Sequence, residues 1–337
     1  MVTKQTDYYM KSFTELNQLF QQYLTQNAFN QSPTTLYEPV NYILTVGGKR
    51  LRPLLVLRGC NLFDGAPEKA LPAALAVEIF HNFTLLHDDI MDNAPLRRGQ
   101  PTVHTKFSVN AGILSGDAML LHAYQYLMKT DNKFILTELM ASFTRMGIEV
   151  CEGQQYDMDF ETNSAVTIPQ YLKMIEYKTA VLVAFAFQAG ALIGGASRRA
   201  AAKMAEFGKN VGIAFQIQDD ILDTYGDPAV FGKKVGGDIV QNKKTYLLLR
   251  ALERAEAEQR RQLDRWMIAA PEVIDEKAKI ETVKGIFTEL GVRQDAEKVM
   301  NLYLERAFDA LEQIRELNFG KKEVMRDWAT ELMGRTV

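Results

Sequence analysis

The sequence predicts an all-α fold, a single domain over residues 1–337 built from ten or more long helices. Three observations support this prediction. Apolar residues recur with helical spacing along nearly the whole chain, strand-like alternation is scarce, and the 337 residues include only 22 glycines and 10 prolines. The hydrophobic fraction of 47% is enough for a sizeable core.

Breaker residues divide the chain into helical stretches. They lie at residues 31–33, 47–48, 64–67, 93–101, 162–169, 226–237 and 270–271. The segment SPTT, residues 32–35, and Thr167, two positions before Pro169, are typical of helix starts. The charged stretch ALERAEAEQRRQLDR, residues 251–265, predicts amphipathic surface helices in the C-terminal third.

Charge and composition exclude several classes of protein. The net charge of −3 argues against a nucleic-acid partner, so any phosphate site has to be local. Cys60 and Cys151 fit no metal or redox spacing, and we expect both to be reduced and buried in a cytoplasmic protein. The most apolar run, residues 180–196, is slightly short for a transmembrane span and contains Gln188, which favours a buried core helix. The first residues, MVTKQTDYYMKSF, lack the apolar core of a signal peptide, so we expect no transmembrane or targeting segment.

Two stretches place three aspartates each beside an apolar segment. They are LLHDDIMDNAPLRRG, residues 85–99, and FQIQDDILDTYGD, residues 215–227. Residues four apart share one face of a helix, and breakers follow both motifs, so each cluster is predicted in the last turns of a largely buried helix. We call them the first acidic cluster (Asp88, Asp89 and Asp92) and the second acidic cluster (Asp219, Asp220 and Asp223).

Carboxylates are unfavourable at these positions without a counter-charge. A helix C-terminus prefers cations by about 0.3–1 kcal/mol, and neighbouring carboxylates repel each other. Clustered carboxylate oxygens without His or Cys suit Mg²⁺, which bridges a few carboxylates to substrate phosphates. The alternative is a solvated helix end with incidental acids, and the recurrence of the motif in the same context argues against that alternative.

Basic residues are placed as partners for such a phosphate. The segment GGKRLRP, residues 47–53, combines a glycine turn with a predicted helix start, where backbone N–H groups and arginine side chains favour an anion. Pairs of lysines alone are more often solvated surface residues. The candidates are Lys49, Arg50, Arg52, Arg97 and Arg98, together with Lys178 beside Thr179 and the lysine pairs at 233–234 and 243–244.

In these motifs the sequence resembles the trans-isoprenyl diphosphate synthases, also called polyprenyl synthetases. The resemblance rests on GGKRLRP, LLHDDIMDNAPLRRGQPTVH, YKTA, and FQIQDDILDTYGD followed by GKKVGGDIVQNKKTYL, whose order and spacing match over nearly the whole chain. It implies an isoprenoid synthase-like fold, with helices around a deep central cavity, and a homodimer.

The resemblance also implies a reaction between isopentenyl diphosphate and an allylic diphosphate. The allylic diphosphate group leaves, the double bond of isopentenyl diphosphate attacks the carbocation, and loss of a proton gives a chain five carbons longer. The implied cofactor is Mg²⁺, as about three ions around the bound diphosphate. The expected direct ligands are Asp88, Asp92 and Asp219, with Asp89, Asp220 and Asp223 in support.

Further roles are implied at the positions that match the family's motifs. The residues expected to bind the allylic diphosphate are Arg97, Lys178 and Lys233. The residues expected at the isopentenyl diphosphate site are Lys49, Arg52, His81 and Arg98. The residues expected to place oxygen dipoles near the carbocation are Thr179 and Gln216, and those expected on a helix facing the cavity are Gln154 and Asp157.

The helix before the first acidic cluster is expected to set product length. At 1.5 Å rise per residue, Phe83 and Phe80 lie roughly 7.5 and 12 Å before Asp88. In the family, bulky residues here form a floor that stops elongation, and Phe83 beside the small Thr84 resembles archaeal-type geranylgeranyl synthases. We therefore expect a short-chain product, with geranylgeranyl (twenty carbons) favoured over farnesyl (fifteen). Ordinary core packing is the alternative role of the two phenylalanines.

Other functions are compatible with parts of this pattern. A longer-chain polyprenyl diphosphate synthase would use the same chemistry. A terpene cyclase would not need GGKRLRP, the arginine pair or a second acidic cluster, and a non-catalytic synthase subunit would be expected to lack some of the six aspartates. A structural helical protein would leave the acidic helix ends unexplained.

Overall fold

The computed structural model describes residues 10–227, 235–268 and 275–334 and is all-α, as predicted. A short 3₁₀ turn spans Pro67–Ala70, and two strands of two residues each pair as an antiparallel hairpin. The elements of the first half are α1 (Phe13–Gln26), α2 (Thr34–Thr45), α3 (Leu51–Leu62), α4 (Leu71–Met91), β1 (Leu96–Arg97), β2 (Gln100–Pro101), α5 (Val103–Lys106), α6 (Val109–Leu127) and α7 (Lys133–Thr162).

The described part of the second half of the chain consists of helices and short connections, with no strand. A π-helical turn spans Glu176–Ala180 and joins the helices on either side of it. The helices are α8 (Ile168–Ile175), α9 (Val181–Gly194), α10 (Arg198–Tyr225), α11 (Gly237–Val240), α12 (Tyr246–Arg254), α13 (Ala257–Ile268), α14 (Glu276–Glu289), α15 (Val292–Glu312) and α16 (Phe319–Met333). The prediction of ten or more helices is therefore confirmed.

The described chain divides into two compact units. The first unit contains the described residues up to Arg145 together with Phe185–Ala205 and Ile314–Leu317. The second unit contains Met146–Ala184, Glu206–Gln313 and the described residues from Asn318 onward. A single domain over residues 1–337 stays a prediction.

The helix starts show which local signals are decisive. Thr167 caps α8 as predicted, because its hydroxyl accepts a hydrogen bond from the Gln170 N–H and the Gln170 side chain returns the contact. The start predicted at residues 32–35 is also present, with α2 beginning at Thr34. There the preceding residue is Pro33, and no side chain caps the helix. A proline in extended conformation therefore replaces the hydroxyl cap at this second start.

In the first unit, α3 and α9 approach each other closely at glycines. A Cβ atom on Gly190 would lie 2.1 Å from the Val56 carbonyl oxygen, and one on Gly194 would lie 2.5 Å from the Cys60 carbonyl oxygen. From α3, a Cβ on Gly59 would lie 2.9 Å from the Phe187 carbonyl oxygen. Backbone therefore packs on backbone along this contact, and any side chain at these positions would push the helices apart.

We expect Gly190→Ala to lower the free energy of unfolding by about 1–3 kcal/mol, because the added methyl group overpacks a backbone contact. Urea unfolding followed by circular dichroism measures this change. Gly285→Ala is the matched control, since Gly285 lies in α14 with open space around it. That control should be neutral or stabilise by about 0.5–1 kcal/mol. Equal effects at the two positions would contradict the packing argument.

A second glycine contact joins α6 to α4. A Cβ on Gly112 would lie 2.8 Å from the Ile90 side chain, and one on Gly116 would lie 2.2 Å from the His87 Nε2 atom. The His87 ring also lies beside the backbone of α6, with 3.3 Å between its Nε2 atom and the Ile113 carbonyl oxygen. The last turns of α4 therefore lie directly against α6.

The apolar run at residues 180–196 forms most of α9 and is largely buried, as predicted for a core helix. The helical stretch Ile168–Gly194 is long and apolar enough to cross a membrane, but 61% of its apolar 18-residue segment is buried within the protein. Burial of this kind is typical of the core helix of a folded domain.

The two cysteines differ in their surroundings. Both are free, as predicted, and Cys60 is buried in α3, where burial raises the pKa of its thiol to about 12. The prediction that both are buried is wrong for Cys151, which is exposed on α7. Its neighbour Val150 is buried, and one residue corresponds to about 100° of rotation around a helix, which turns Cys151 toward the surface.

Candidate active site

The first acidic cluster lies in the last turn of α4, as predicted. The helix ends at Met91, and the Asp92 N–H closes its last turn by donating to the Asp88 carbonyl oxygen at 2.8 Å. Asn93 then leaves the helix with a left-handed backbone, at φ 49°. Asp89 is buried, whereas the side chain of Asp88 is 20% exposed. The helix is therefore largely buried up to the point where Asp88 and Asp92 reach the surface.

The β1–β2 hairpin brings an arginine back to this cluster. Arg97 Nε donates to both carboxylate oxygens of Asp89, at 2.8 and 2.9 Å. Its Nη2 atom lies 2.7 Å from Asp89 Oδ1 and 3.6 Å from Asp88 Oδ2. Arg97 is one of the three residues predicted to bind the allylic diphosphate, and it already offsets part of the negative charge at the helix end.

Residues 47–52 form the turn before α3 and the first two residues of that helix. We call this segment the basic loop, and it contacts the same helix. Arg52 Nη1 lies 3.1 Å from His81 Nε2. Because a guanidinium can only donate, Nε2 accepts this hydrogen bond and the ring proton is placed on Nδ1. Burial, followed by the guanidinium of Arg52, lowers the pKa of His81 well below its ordinary value. His81 is thus a neutral partner that orients Arg52.

Arg98 fastens the glycine turn of the basic loop. Its Nη1 atom donates to the Gly47 carbonyl oxygen, and its guanidinium fills the space that a Cβ on residue 48 would need. Gly48 also has φ +128°, a conformation that L side chains rarely adopt. Lys49 is exposed next to this turn. The structure therefore places Arg52 against His81, and Arg98 against the glycine turn beside Lys49. The role of these four residues at an isopentenyl diphosphate site stays a prediction.

Arg50 departs from the predicted arrangement. The sequence suggested that it stands around the glycine turn with Lys49 and Arg52 as a phosphate partner. Instead its side chain is buried, where it pairs with Glu78 and donates to the Leu44 carbonyl oxygen. Its backbone is left-handed, at φ 48°, and its buried partners are the Glu78 carboxylate and the Leu44 carbonyl oxygen.

The residues proposed to limit chain length lie among aromatic rings in the first unit. Phe83 and Phe80 pack edge to face with centroids 5.6 Å apart, and Phe80 packs on Phe143 of α7 at 5.2 Å. Thr84 donates from its hydroxyl to the His81 carbonyl oxygen at 2.8 Å. Phe143 was not named from the sequence, because nothing local links it to α4.

The second acidic cluster ends α10 in the second unit. Asp220 is buried and accepts hydrogen bonds from the Tyr171 hydroxyl at 2.5 Å, from Gln216 Nε2 at 3.3 Å and from the Tyr246 N–H at 3.4 Å. Burial, followed by the carboxylate of Asp238, raises the pKa of Asp220 to about 8. A neighbouring cation would offset the free-energy cost of keeping a charged carboxylate buried here.

Gly236 and Asp238 contact the second acidic cluster. The Asp238 N–H donates to Asp223 Oδ2 at 2.9 Å, and the Gly236 N–H donates to the Asp223 carbonyl oxygen at 2.6 Å. Sequence reasoning missed Tyr171, Asp238 and Tyr246 as contacts of the cluster. For Asp238 a signal existed, since it lies in the GGDIV segment that belongs to the matched motif.

The π-helical turn positions Lys178 and Thr179. A Cβ on Gly153 of α7 would lie 2.2 Å from the Lys178 nitrogen, and one on Gly212 of α10 would lie 2.7 Å from the Ala180 Cα atom, so the turn is held closely between two glycines. Thr179 Oγ1 lies 3.2 Å from Gln216 Oε1. This contact joins the two residues that the resemblance assigned together.

A cleft of about 530 Å³ opens in the second unit beside these residues. Lys178 Nζ pairs there with Asp157 Oδ2 at 2.5 Å, and Lys243 lies 3.8 Å from Asp238. Gln154 is half-buried on α7. The charged and polar residues that line the cleft include Asp157, Lys178, Thr179, Gln216, Asp220, Asp238, Lys243 and Lys244. Lys233, predicted to bind the allylic diphosphate, lies outside the described residues.

The carboxylates fit Mg²⁺ by their chemistry. Within the part of the chain that the structure describes, no three acidic, histidine or cysteine side chains converge closely enough to enclose a metal ion. Mg²⁺ does not require such a cage, because it binds through one or two carboxylates plus waters and substrate phosphates. Protein donors already engage Asp89, Asp220 and Asp223, the three residues assigned a supporting role. The metal ligands themselves stay predictions.

Comparison with known proteins agrees with the fold and the motifs. A sequence model of the polyprenyl synthetase family matches residues 33–283. A geranylgeranyl diphosphate synthase of Methanosarcina mazei is 43% identical over 223 residues, which cover 66% of this chain and 69% of the relative. A geranylfarnesyl diphosphate synthase of Aeropyrum pernix is 36% identical over 295 residues, which cover 84% of this chain and 89% of the relative.

A crystal structure of a geranylgeranyl pyrophosphate synthase superposes with a TM-score of 0.92 at 43% identity, over 97% of this chain and all of that chain. The fold and these matches define an all-α prenyltransferase of isoprenoid biosynthesis. The chain belongs to the polyprenyl synthetase family.

Proposed function

We propose that this enzyme condenses isopentenyl diphosphate with dimethylallyl, geranyl or farnesyl diphosphate, with Mg²⁺ as cofactor, to give an all-trans geranylgeranyl diphosphate. The observation that carries the proposal is the composition of α4: carboxylates end the helix, and Phe83 lies five residues earlier. The names of the relatives support the reaction class and the short product. We propose a cytoplasmic location for the enzyme.

In this proposal the chain's own residues bind and orient two diphosphates. Arg97, Lys178 and Lys233 bind the allylic diphosphate, and the residues of the isopentenyl diphosphate site are Lys49, Arg52, His81 and Arg98. The Mg²⁺ ligands are Asp88, Asp92 and Asp219, and bound Mg²⁺ supplies charge stabilisation for the departing diphosphate. Thr179 and Gln216 turn oxygen dipoles toward the carbocation. Neutral His81 holds Arg52 without adding a positive charge.

The first experiment incubates the purified protein with Mg²⁺, isopentenyl diphosphate and each allylic starter in turn, and measures product length by chromatography. A twenty-carbon product from all three starters supports the proposal. A stop at fifteen carbons makes the enzyme a farnesyl synthase. No condensation with any starter would contradict the proposed reaction and favour a cyclase or a non-catalytic subunit.

A geranylfarnesyl product is the second candidate. It is favoured by relatives that carry this name, among them the Aeropyrum pernix protein and a Natronomonas pharaonis protein that is 37% identical over 266 residues. The same assay separates the two products, since farnesyl diphosphate would then be extended by two units to twenty-five carbons.

We also propose a homodimer that forms through α6. Three large apolar residues, spaced seven residues apart, are exposed along α6 and at its C-cap: Leu114 is 60% exposed, Leu121 71% and Met128 53%. Such spacing repeats one face of a helix every two turns and is typical of a seam between helices. A second copy of the chain is the partner that the family resemblance supports.

We expect Leu121→Glu to convert the dimer into a monomer, because it places a charge at the centre of the apolar stripe. Light scattering after size-exclusion chromatography measures the mass. Phe319→Glu is the matched control, since Phe319 is 78% exposed at the start of α16 and lies outside the stripe. A monomeric wild type, or a dimeric Leu121→Glu variant, would contradict this interface.

A further inference from the structure

A buried ion pair joins the basic loop to α4. Arg50 is 7% exposed and Glu78 2% exposed. The guanidinium uses two nitrogen atoms: Nη1 donates to Glu78 Oε1 and Nη2 donates to the Leu44 carbonyl oxygen. Asn82 Nδ2 donates to the same Glu78 oxygen at 2.8 Å and to the Glu78 carbonyl oxygen at 2.8 Å. The pair is therefore fully enclosed and held by further polar contacts.

This burial needs an explanation other than substrate binding. Arg50 follows exposed Lys49 in a loop of basic residues, yet it turns away from the surface. A non-glycine residue in the left-handed region, and a charge taken out of water, are both unfavourable and persist only where the surroundings require them. Replacing such a pair by apolar residues often costs no stability, so stability alone does not account for it.

Two neighbouring residues of α4 contact the basic loop. Glu78 and His81 are three residues apart on α4, so they lie one turn apart on the same side of the helix. Glu78 holds Arg50, and His81 contacts Arg52 at 3.1 Å. The basic loop is therefore fastened to α4 at two consecutive points. Lys49, directly before Arg50, is exposed, whereas the Arg50 side chain is buried against Glu78.

We propose that the Arg50–Glu78 pair positions the basic loop for the diphosphate of isopentenyl diphosphate. Arg50 is a positioning residue that acts through Lys49 and Arg52 and touches no substrate. Its forked side chain is suited to this task, because it fixes a carboxylate and a backbone carbonyl at the same time. This inference rests on the proposed function, since it assigns the loop to one of that reaction's two substrates.

The test uses the double variant R50M/E78L, which removes both charges together and leaves no unpaired ion in the core. Initial rates are measured with isopentenyl diphosphate varied at saturating allylic substrate, and then with the two roles exchanged. We expect the KM for isopentenyl diphosphate to rise about tenfold, the effect of weakening a charged contact to phosphate. The KM for the allylic substrate should stay within about twofold, with kcat retained at saturation.

Two further variants separate positioning from general destabilisation. R58M removes another buried arginine from α3, one that stacks on Phe13, and should leave both KM values unchanged. R50K should recover part of the lost affinity, because lysine can pair with Glu78 but offers one nitrogen where the guanidinium uses two. A melting temperature for each variant shows that the fold is intact.

The outcomes distinguish this inference from the proposed function. An active wild type with unchanged KM for isopentenyl diphosphate in R50M/E78L overturns the inference and leaves the function standing. Equal rises in both KM values, matched in R58M, also overturn it, because they indicate a general structural role. A wild type without prenyl transfer overturns the proposed function itself. In that case calorimetry compares isopentenyl diphosphate binding by the wild type and by R50M/E78L. Weaker binding by the variant supports the positioning role, and equal binding overturns it.

Discussion

Replacing Asp88 by alanine should lower kcat by about three orders of magnitude or more, while the protein remains folded. The proposed reason is that Asp88 holds Mg²⁺ on the diphosphate as it departs, where removal of charge stabilisation carries a large kinetic cost. The fold should not suffer, because a carboxylate at a helix C-terminus is unfavourable by about 0.3–1 kcal/mol. Product formation under saturating substrates and a thermal unfolding curve measure the two effects.

A matched control is Asp131→Ala, which removes an exposed aspartate from the connection between α6 and α7. Its activity and melting temperature should equal those of the wild type. Normal turnover in Asp88→Ala would contradict the metal assignment. A parallel loss of activity and of folded protein would indicate that Asp88 has a structural role through its contact with Arg97.

Replacing Phe83 by alanine should lengthen the product beyond that of the wild type. The ring lies five residues before Asp88 on α4, roughly 7.5 Å along the helix axis, where it would meet the tail of a growing chain. Phe83 is 8% exposed, so its removal opens space next to the Phe80 ring. Product length is measured with farnesyl diphosphate as the starter and excess isopentenyl diphosphate.

Phe207→Leu is a suitable control, because Phe207 is fully buried in the second unit against Trp328, with ring centroids 6.5 Å apart. It perturbs a core aromatic group of the second unit, and its product should keep the wild-type length. An unchanged product in Phe83→Ala would place the floor elsewhere. The next residues to test are then Phe80 and Phe143, whose rings pack together at 5.2 Å.

Local signals account for the parts of the structure that the sequence predicts well. The position of the acidic clusters at helix ends can be predicted, because the apolar spacing and the following breakers involve only a few neighbouring residues. Thr167 caps its helix for the same reason, since its partner Gln170 is only three positions away. Contacts of this kind depend on backbone geometry that a short segment fixes by itself.

Other contacts depend on residues that are far apart in the chain. Tyr171 meets Asp220 across 49 positions, and no spacing rule links them. Arg50 turns inward because of one left-handed residue and a partner 28 positions away. Cys151 is exposed because the helical phase of α7 is set by packing, which the composition of the helix does not reveal. The sequence therefore identifies the chemistry of these sites better than the direction of each side chain.

The contact of Gly116 with His87 links two positions that are expected to change together during evolution. Any residue larger than glycine at 116 would collide with the imidazole, so it becomes acceptable only when residue 87 is smaller or turns away. Residue 87 directly precedes Asp88, so such a change would be felt next to the proposed metal ligands. Libraries that vary the two positions jointly should contain active variants that neither single position yields, and aligned relatives should show the two residues covarying.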